Sequence, residues 1–332
     1  MKGEGIIGAA DTVTKAYIRK NEVFADAFNY FMYDGRQKIQ PEQLRELDST
    51  EIAILLNEKD TKDKTNKEKE ASEQKMVQKY RDLLKTATIM EDGEATYVLL
   101  GIENQTEVHY AMPVRNMLYD AMQYNQQVTE IAEKHKGKKG GKRQQKISTG
   151  EFLSGFYKNN KLIPVITLVL FFNPGEWDGP RSLFDMLDIS NPIFKKYAQD
   201  YKIHIISPKE ILESDLKKFS SSLREVIGCI KYSNDKNKLA AFIQDNPRMN
   251  IEVEAARVLE VITHTHIKRE EVDDMGNVNM CKAIQEMIQD GRDEGRVQLL
   301  VTLIQSGDIS LQRAAALMNM TPEEFQEKSK MI

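Results

Sequence analysis

What this sequence has little of narrows it before any motif is read. Its 332 residues hold only two cysteines, Cys229 and Cys281, so no disulfide framework staples the fold and a reducing, cytoplasmic setting is expected. No apolar run approaches the roughly 20 residues that span a bilayer. The longest, around Leu162 to Phe172, has the length of a strand, so no membrane partner is expected. The N-terminal residues show no basic region leading into an apolar stretch, which argues against a secretory leader. An excess of basic charge is missing too. Forty-seven Lys and Arg stand against 51 Asp and Glu, so any nucleic-acid contact has to come from a local patch.

One such patch exists. Lys134 to Lys146, KHKGKKGGKRQQK, is free of acids and broken by glycines. As a loop it could lie along a phosphate backbone through Lys138, Lys139, Lys142 and Arg143, releasing a counterion at each contact. It is equally an ordinary solvated loop, and it lacks the Gly-Lys-Ser/Thr ending of a nucleotide-hydrolysing P-loop. GEGIIG, Gly3 to Gly8, has dinucleotide-binding spacing but no strand before it, so residues 1–11 read as a flexible leader.

The stretch that does stand out is ATYVLLGIENQ, Ala95 to Gln105. It is apolar on both alternating faces, as a strand covered on both sides should be, yet it ends in Glu103 and Gln105. Asp92-Gly93 is a two-residue hairpin signal, because both residues tolerate the positive φ angles of a type I′ turn. If they form the turn, Glu91 faces Glu94 and, counting down the ladder, Asp82 faces Glu103. Opposed side chains share a face with Cβ atoms roughly 4.5–5.5 Å apart, and Gln105 joins that face two positions on. Two carboxylates this close repel unless a proton or a metal lies between them, and hard oxygen ligands suit Mg²⁺ or Mn²⁺. Taken singly, Asp82 could be a solvated strand end beside Arg81, and Glu103 could pair with a lysine.

An Asp on one strand and Glu-x-Lys on the next is the pattern of the PD-(D/E)XK nuclease superfamily; here it reads Asp82, then Glu103-Asn104-Gln105. The wider string, YRDLLK with GIENQTEVHYAMPVRNMLYDAMQY, resembles the Rpn family of recombination-promoting nucleases, also described as transposases or YhgA-like proteins. The resemblance runs from about Thr12 to the DGRDEGR segment at Asp290 to Arg296. It implies an α/β (α+β) fold, a restriction-endonuclease-like mixed sheet flanked by helices. It also implies a DNA endonuclease in which Asp82, Glu103 and the Asn104 carbonyl hold Mg²⁺ or Mn²⁺. An acid from the first core helix, Glu22 in preference to Asp26, would assist. Gln105 is the departure: the family usually has a lysine there, a cation that stabilises developing negative charge, whereas an amide can only orient by hydrogen bonds. The other reading is a catalytically weak or inactive scaffold that keeps the fold and binds nucleic acid or protein.

The remaining periodicities fill in the frame. Thr12 to Tyr33 reads as one amphipathic helix with Tyr17, Phe24, Phe28 and Phe31 buried, and Pro41 to Leu56 as a turn and the first core strand. Glu58 to Glu70 is a solvated charge run. Pro113 opens a helix whose apolar stripe is Val114, Met117, Leu118, Ala121 and Val128, with Arg115 free for a phosphate or a salt bridge to Asp120 or Glu107. Leu162 to Phe172 and Tyr201 to Ser207 are strands, Ser182 to Leu187 looks helical, and Trp177 anchors the loop between the two strands. Beyond about Leu212 the pattern is wholly helical, with stripes at Phe219, Leu223, Val226 and Ile230 and at Val253, Ala256, Leu259 and Ile262. His264 and His266 are spaced poorly for chelation. Asn279 to Ile304 reads as a long helix, and two short helices follow, the second capped by Thr321 and Glu324. The expected division is therefore a nuclease-like domain over 12–232 and a helical region over 233–332. The latter serves oligomerisation, as a homo-oligomer, or resembles a helix-turn-helix.

Overall fold

The computed structural model describes residues 4–47, 82–91, 94–137, 147–244, 246–263 and 272–330. Two helices open it, α1 (Glu4–Ile18) and α2 (Asn21–Tyr33). The expected leader is thus helical from Glu4, and the expected single helix breaks at Lys20, whose backbone is extended. Neither Gly nor Pro marks that break. What holds it is distant in sequence: the ammonium of buried Lys85 takes the Arg19 carbonyl at 2.6 Å and Asn21 Oδ1 at 2.5 Å. Tyr17, Phe24 and Phe28 are buried as expected, but Phe31 is exposed.

A five-stranded sheet follows, formed by β1 (Arg45–Glu46), β2 (Leu83–Glu91), β3 (Glu94–Gln105), β4 (Val165–Phe171) and β5 (His204–Ile206) in that spatial order. The first three strands are antiparallel, while β4 and β5 run parallel to β3. A parallel neighbour needs a crossover, which α3 (Met112–Gly137) supplies between β3 and β4. The hairpin has the expected register, from Glu91 opposite Glu94 to Leu83 opposite Ile102. The first core strand is shorter than expected, and most of Leu47 to Tyr80, with the charge run, lies outside the described residues.

Alternation gives the sheet two unlike faces. Leu100, Ile102, Leu168 and Leu170 join the main core with α1, α2 and the later helices. Val169 and Phe171 face the other way, with Met112 of α3 and Trp177, whose ring meets Phe171 edge-on at 5.2 Å. The stripe of α3 that packs is not the apolar one. Met112, Asn116, Tyr119, Asp120 and Gln123 are buried, while Val114, Leu118 and Ala121 are exposed. The cause is a polar layer: Asp120 accepts from Thr167 at 2.7 Å and from Tyr201 at 2.6 Å, which compensates its desolvation.

Past Leu212 come α4 (Leu223–Tyr232) and α5 (Lys236–Ile243), then α6 (Val253–Thr263), α7 (Met280–Gln305), α8 (Leu311–Leu317) and α9 (Pro322–Lys330). This part is not wholly helical, because Asn250–Glu252 and Asn277–Asn279 pair as a two-stranded antiparallel sheet. Both predicted stripes pack inward. The main core runs without interruption from Tyr17 to Met280 and includes Ala256 and Leu259 of α6, which lies along α1. A separate small core joins Val297 and Leu300 of α7 to Ala314, Ala315 and Phe325. The Thr321–Glu324 capping box forms as expected. His264 and His266 lie outside the described residues. No helix among the described residues is long and apolar enough to cross a membrane.

Candidate functional site

The hairpin register brings Asp82 to the Glu103 end of β3. Asp82 Oδ2 accepts the Asn104 backbone N–H at 2.9 Å, which fixes the carboxylate across the strand ends. Its Oδ1 meets Lys15 Nζ of α1 at 3.0 Å, and the same ammonium holds Asp11 at 2.7 Å. Burial opposes the Lys15 charge, but Asp11 and Asp82 together lift its pKa above the ordinary lysine value. Asn104 turns its side chain toward α1, where Nδ2 donates to Thr14 Oγ1 at 2.6 Å and approaches Asp11 Oδ1 at 3.4 Å. In the sheet, Asn104 stands opposite Leu170.

Glu103 is 0% exposed, and its ion-pair partner is Arg115 Nη2 at 3.2 Å, on the first turn of α3. Arg115 therefore pairs with the candidate acid itself, where Asp120 or Glu107 was the expected salt-bridge partner. Burial works against the guanidinium, yet Glu103, Tyr119 and Asp82 together more than offset that and raise its pKa. Arg115 Nε also donates to the Tyr119 hydroxyl at 3.2 Å. Burial, then Glu103, pushes the Tyr119 phenol upward, so it stays protonated at neutral pH.

The other expected residues are dispersed. Gln105 ends β3 half-buried, with its carbonyl accepting from Phe172 N at 2.8 Å. Glu22 is exposed on the first turn of α2, within electrostatic reach of Lys85. Asp26 is buried and accepts from the backbone and hydroxyls of Ser220 and Ser221, a structural employment. Of the basic patch, Lys134 and Lys136 belong to the end of α3, and Lys138, Lys139, Lys142 and Arg143 lie outside the described residues. The residues that sequence reasoning missed are Asp11, Thr14, Lys15 and Tyr119. An Asp11–Lys15 pair at i,i+4 is a surface signal on any helix, so nothing local marked it.

The cluster thus sets three carboxylates, Asp11, Asp82 and Glu103, against two protein cations, Lys15 and Arg115. Among the described residues no group of three or more acidic, histidine or cysteine side chains is arranged to hold a metal ion. Two carboxylates remain enough for Mg²⁺, which keeps waters and substrate phosphates in its shell and takes only one or two protein carboxylates.

The fold and the site define a mixed α/β protein whose five-stranded sheet is flanked by helices and carries an acidic strand end. No protein-family model matches the chain, and neither curated proteins nor solved structures provide a match.

Proposed function

We propose that the chain is a divalent-metal-dependent DNA endonuclease of the recombination-promoting type, built on a PD-(D/E)XK-like core and hydrolysing phosphodiester bonds. The observation that supports this reading is a fully buried Glu103 one residue before the Asn104 N–H that holds Asp82. Burying a carboxylate costs several kcal/mol before compensation, and active sites are where such costs are retained. The order of elements supports it: a helical entry, an antiparallel trio, a crossover helix and a parallel strand.

Asp82 and Glu103 would hold the ion, with the Asn104 carbonyl as a further donor. Bound there, Mg²⁺ or Mn²⁺ supplies Lewis-acid polarisation of a phosphate and lowers the pKa of a water. The protein does the rest. The Asn104 N–H fixes the Asp82 carboxylate, Arg115 balances Glu103 and offers the free edge of its fork to a phosphate oxygen, and Gln105 orients by its amide alone. A second reading, a catalytically weak scaffold, is favoured by one fact: both acids already have a protein cation as counter-ion.

Nicking of supercoiled plasmid separates the two. With Mg²⁺ or Mn²⁺ the native chain nicks, with EDTA it does not, and Asp82→Ala and Glu103→Ala each lose activity by 100-fold or more, at least about 2.7 kcal/mol of transition-state stabilisation. A native protein inert with every metal, or variants that cut equally well, removes the catalytic assignment and leaves the scaffold.

A further inference from the structure

Lys15 is oddly placed for a surface ion pair. Its ammonium is shared between Asp11, 43% exposed on the same helix, and Asp82, only 9% exposed on the far side of the site. The i,i+4 pair with Asp11, acid on the N-terminal side, is the favourable orientation and satisfies Lys15 without Asp82. The second contact therefore serves Asp82, whose other oxygen is already taken by the Asn104 N–H. On the same residue, Asn104 Oδ1 is buried with no hydrogen-bond partner among the described residues, while its Nδ2 faces Thr14 and Asp11. An unsatisfied buried acceptor on the residue whose N–H holds Asp82 marks a place where a further cationic or donor group fits.

We infer that Lys15 is a resident counter-ion of Asp82 that a divalent cation must displace, and that Asp11 is the seat to which its ammonium withdraws. The inference rests on the proposed metal centre and adds its regulation. Charge gives the exchange its sense. Three carboxylates against two cations leave the cluster one negative charge, which repels a phosphodiester; a divalent ion makes it positive by one and reverses the sign. Lys15 moves only between two oxygens it already touches, so α1 need not shift. Without the ion the site keeps that negative charge and is closed to DNA phosphate.

Titration of the full chain with Mn²⁺ alone, following the free-ion paramagnetic resonance signal, tests this. Lys15→Met should bind Mn²⁺ tighter by about two- to fivefold, the strength of a part-exposed ion pair removed from competition. Asp11→Asn should bind it more weakly, because the ammonium then has only Asp82, and Asp82→Asn should abolish uptake. Opposite signs at Lys15 and Asp11 are the signature, since damage to helix packing would weaken both. Asp11 is exposed, so its variant keeps the test available if Lys15→Met folds poorly. Lys15→Met binding Mn²⁺ as the native chain does, or less well, overturns the exchange while leaving the metal centre intact. Uptake by neither protein overturns both.

Discussion

Asp26→Ala should cost the protein about 4 kcal/mol, and the number follows from the contacts. The buried carboxylate accepts two backbone N–H groups, Ser220 at 2.9 Å and Ser221 at 2.9 Å, and the hydroxyls of both serines at 3.0 and 2.7 Å. Arg248 clamps the same turn from the other side, donating to the Ser220 and Ser221 carbonyls. Hydrogen bonds to a charged acceptor are worth about 1.5–3 kcal/mol each. The hydroxyls can turn elsewhere, so the two stranded backbone donors dominate the loss. Against a total stability of roughly 5–15 kcal/mol this is a large fraction. At a urea slope of about 3 kcal/mol/M the midpoint should fall by more than 1 M. Asp26→Asn keeps the volume but turns a donor toward a donor, and should lose about half as much. Urea unfolding followed by Trp177 fluorescence and by helical circular dichroism measures both. Removal of an acid kept for chemistry commonly leaves a protein as stable or more so. An unchanged midpoint would therefore refute the structural assignment of Asp26 and return it to the list of candidate metal acids.

Two further outcomes are expected. Gly228→Ala should destabilise by about 1–3 kcal/mol, because the added methyl overlaps the Phe242 ring, itself backed by Tyr232 at 5.5 Å; an unchanged melting temperature would show that the ring swings aside freely. Burial pushes the Cys229 thiol well above its ordinary range, so at pH 8 a disulfide reagent should titrate Cys281 first and reach Cys229 only on unfolding. Fast reaction of both thiols in the native protein contradicts the packing of α4.

How much of this was legible in the chain varied with the kind of signal. A two-residue turn sets hairpin register with no help from the rest of the fold, so the approach of Asp82 to Glu103 could be counted out from Asp92-Gly93. Periodicity failed on α3, where Asn116, Asp120 and Gln123 face the sheet and Val114 and Leu118 face outward. A helix that packs through hydrogen bonds to Thr167 and Tyr201 presents the reverse of the pattern that apolar spacing detects. The break between α1 and α2 had no local mark, because Lys85 makes it from the second strand. Lys15 was hidden for the same reason: its helix partner is visible in sequence, its strand partner is not.

The packing of α1 along α6 also sets an order of events in synthesis. Tyr17 bonds Ser222 at 2.8 Å and Lys20 bonds Glu254 at 3.1 Å, contacts 205 and 234 residues apart in the chain. At roughly 5–20 residues per second, a ribosome needs on the order of 10–50 s to supply the second half of those contacts. For that interval Tyr17 of the first helix lacks its Ser222 partner on the nascent chain, and exposed apolar faces are what chaperones grip. The helix that carries Asp11 and Lys15 is therefore fully locked only after residues more than 200 positions further along have been made. The Lys15–Asp82 pair spans far less chain, so it can close before that helix is locked.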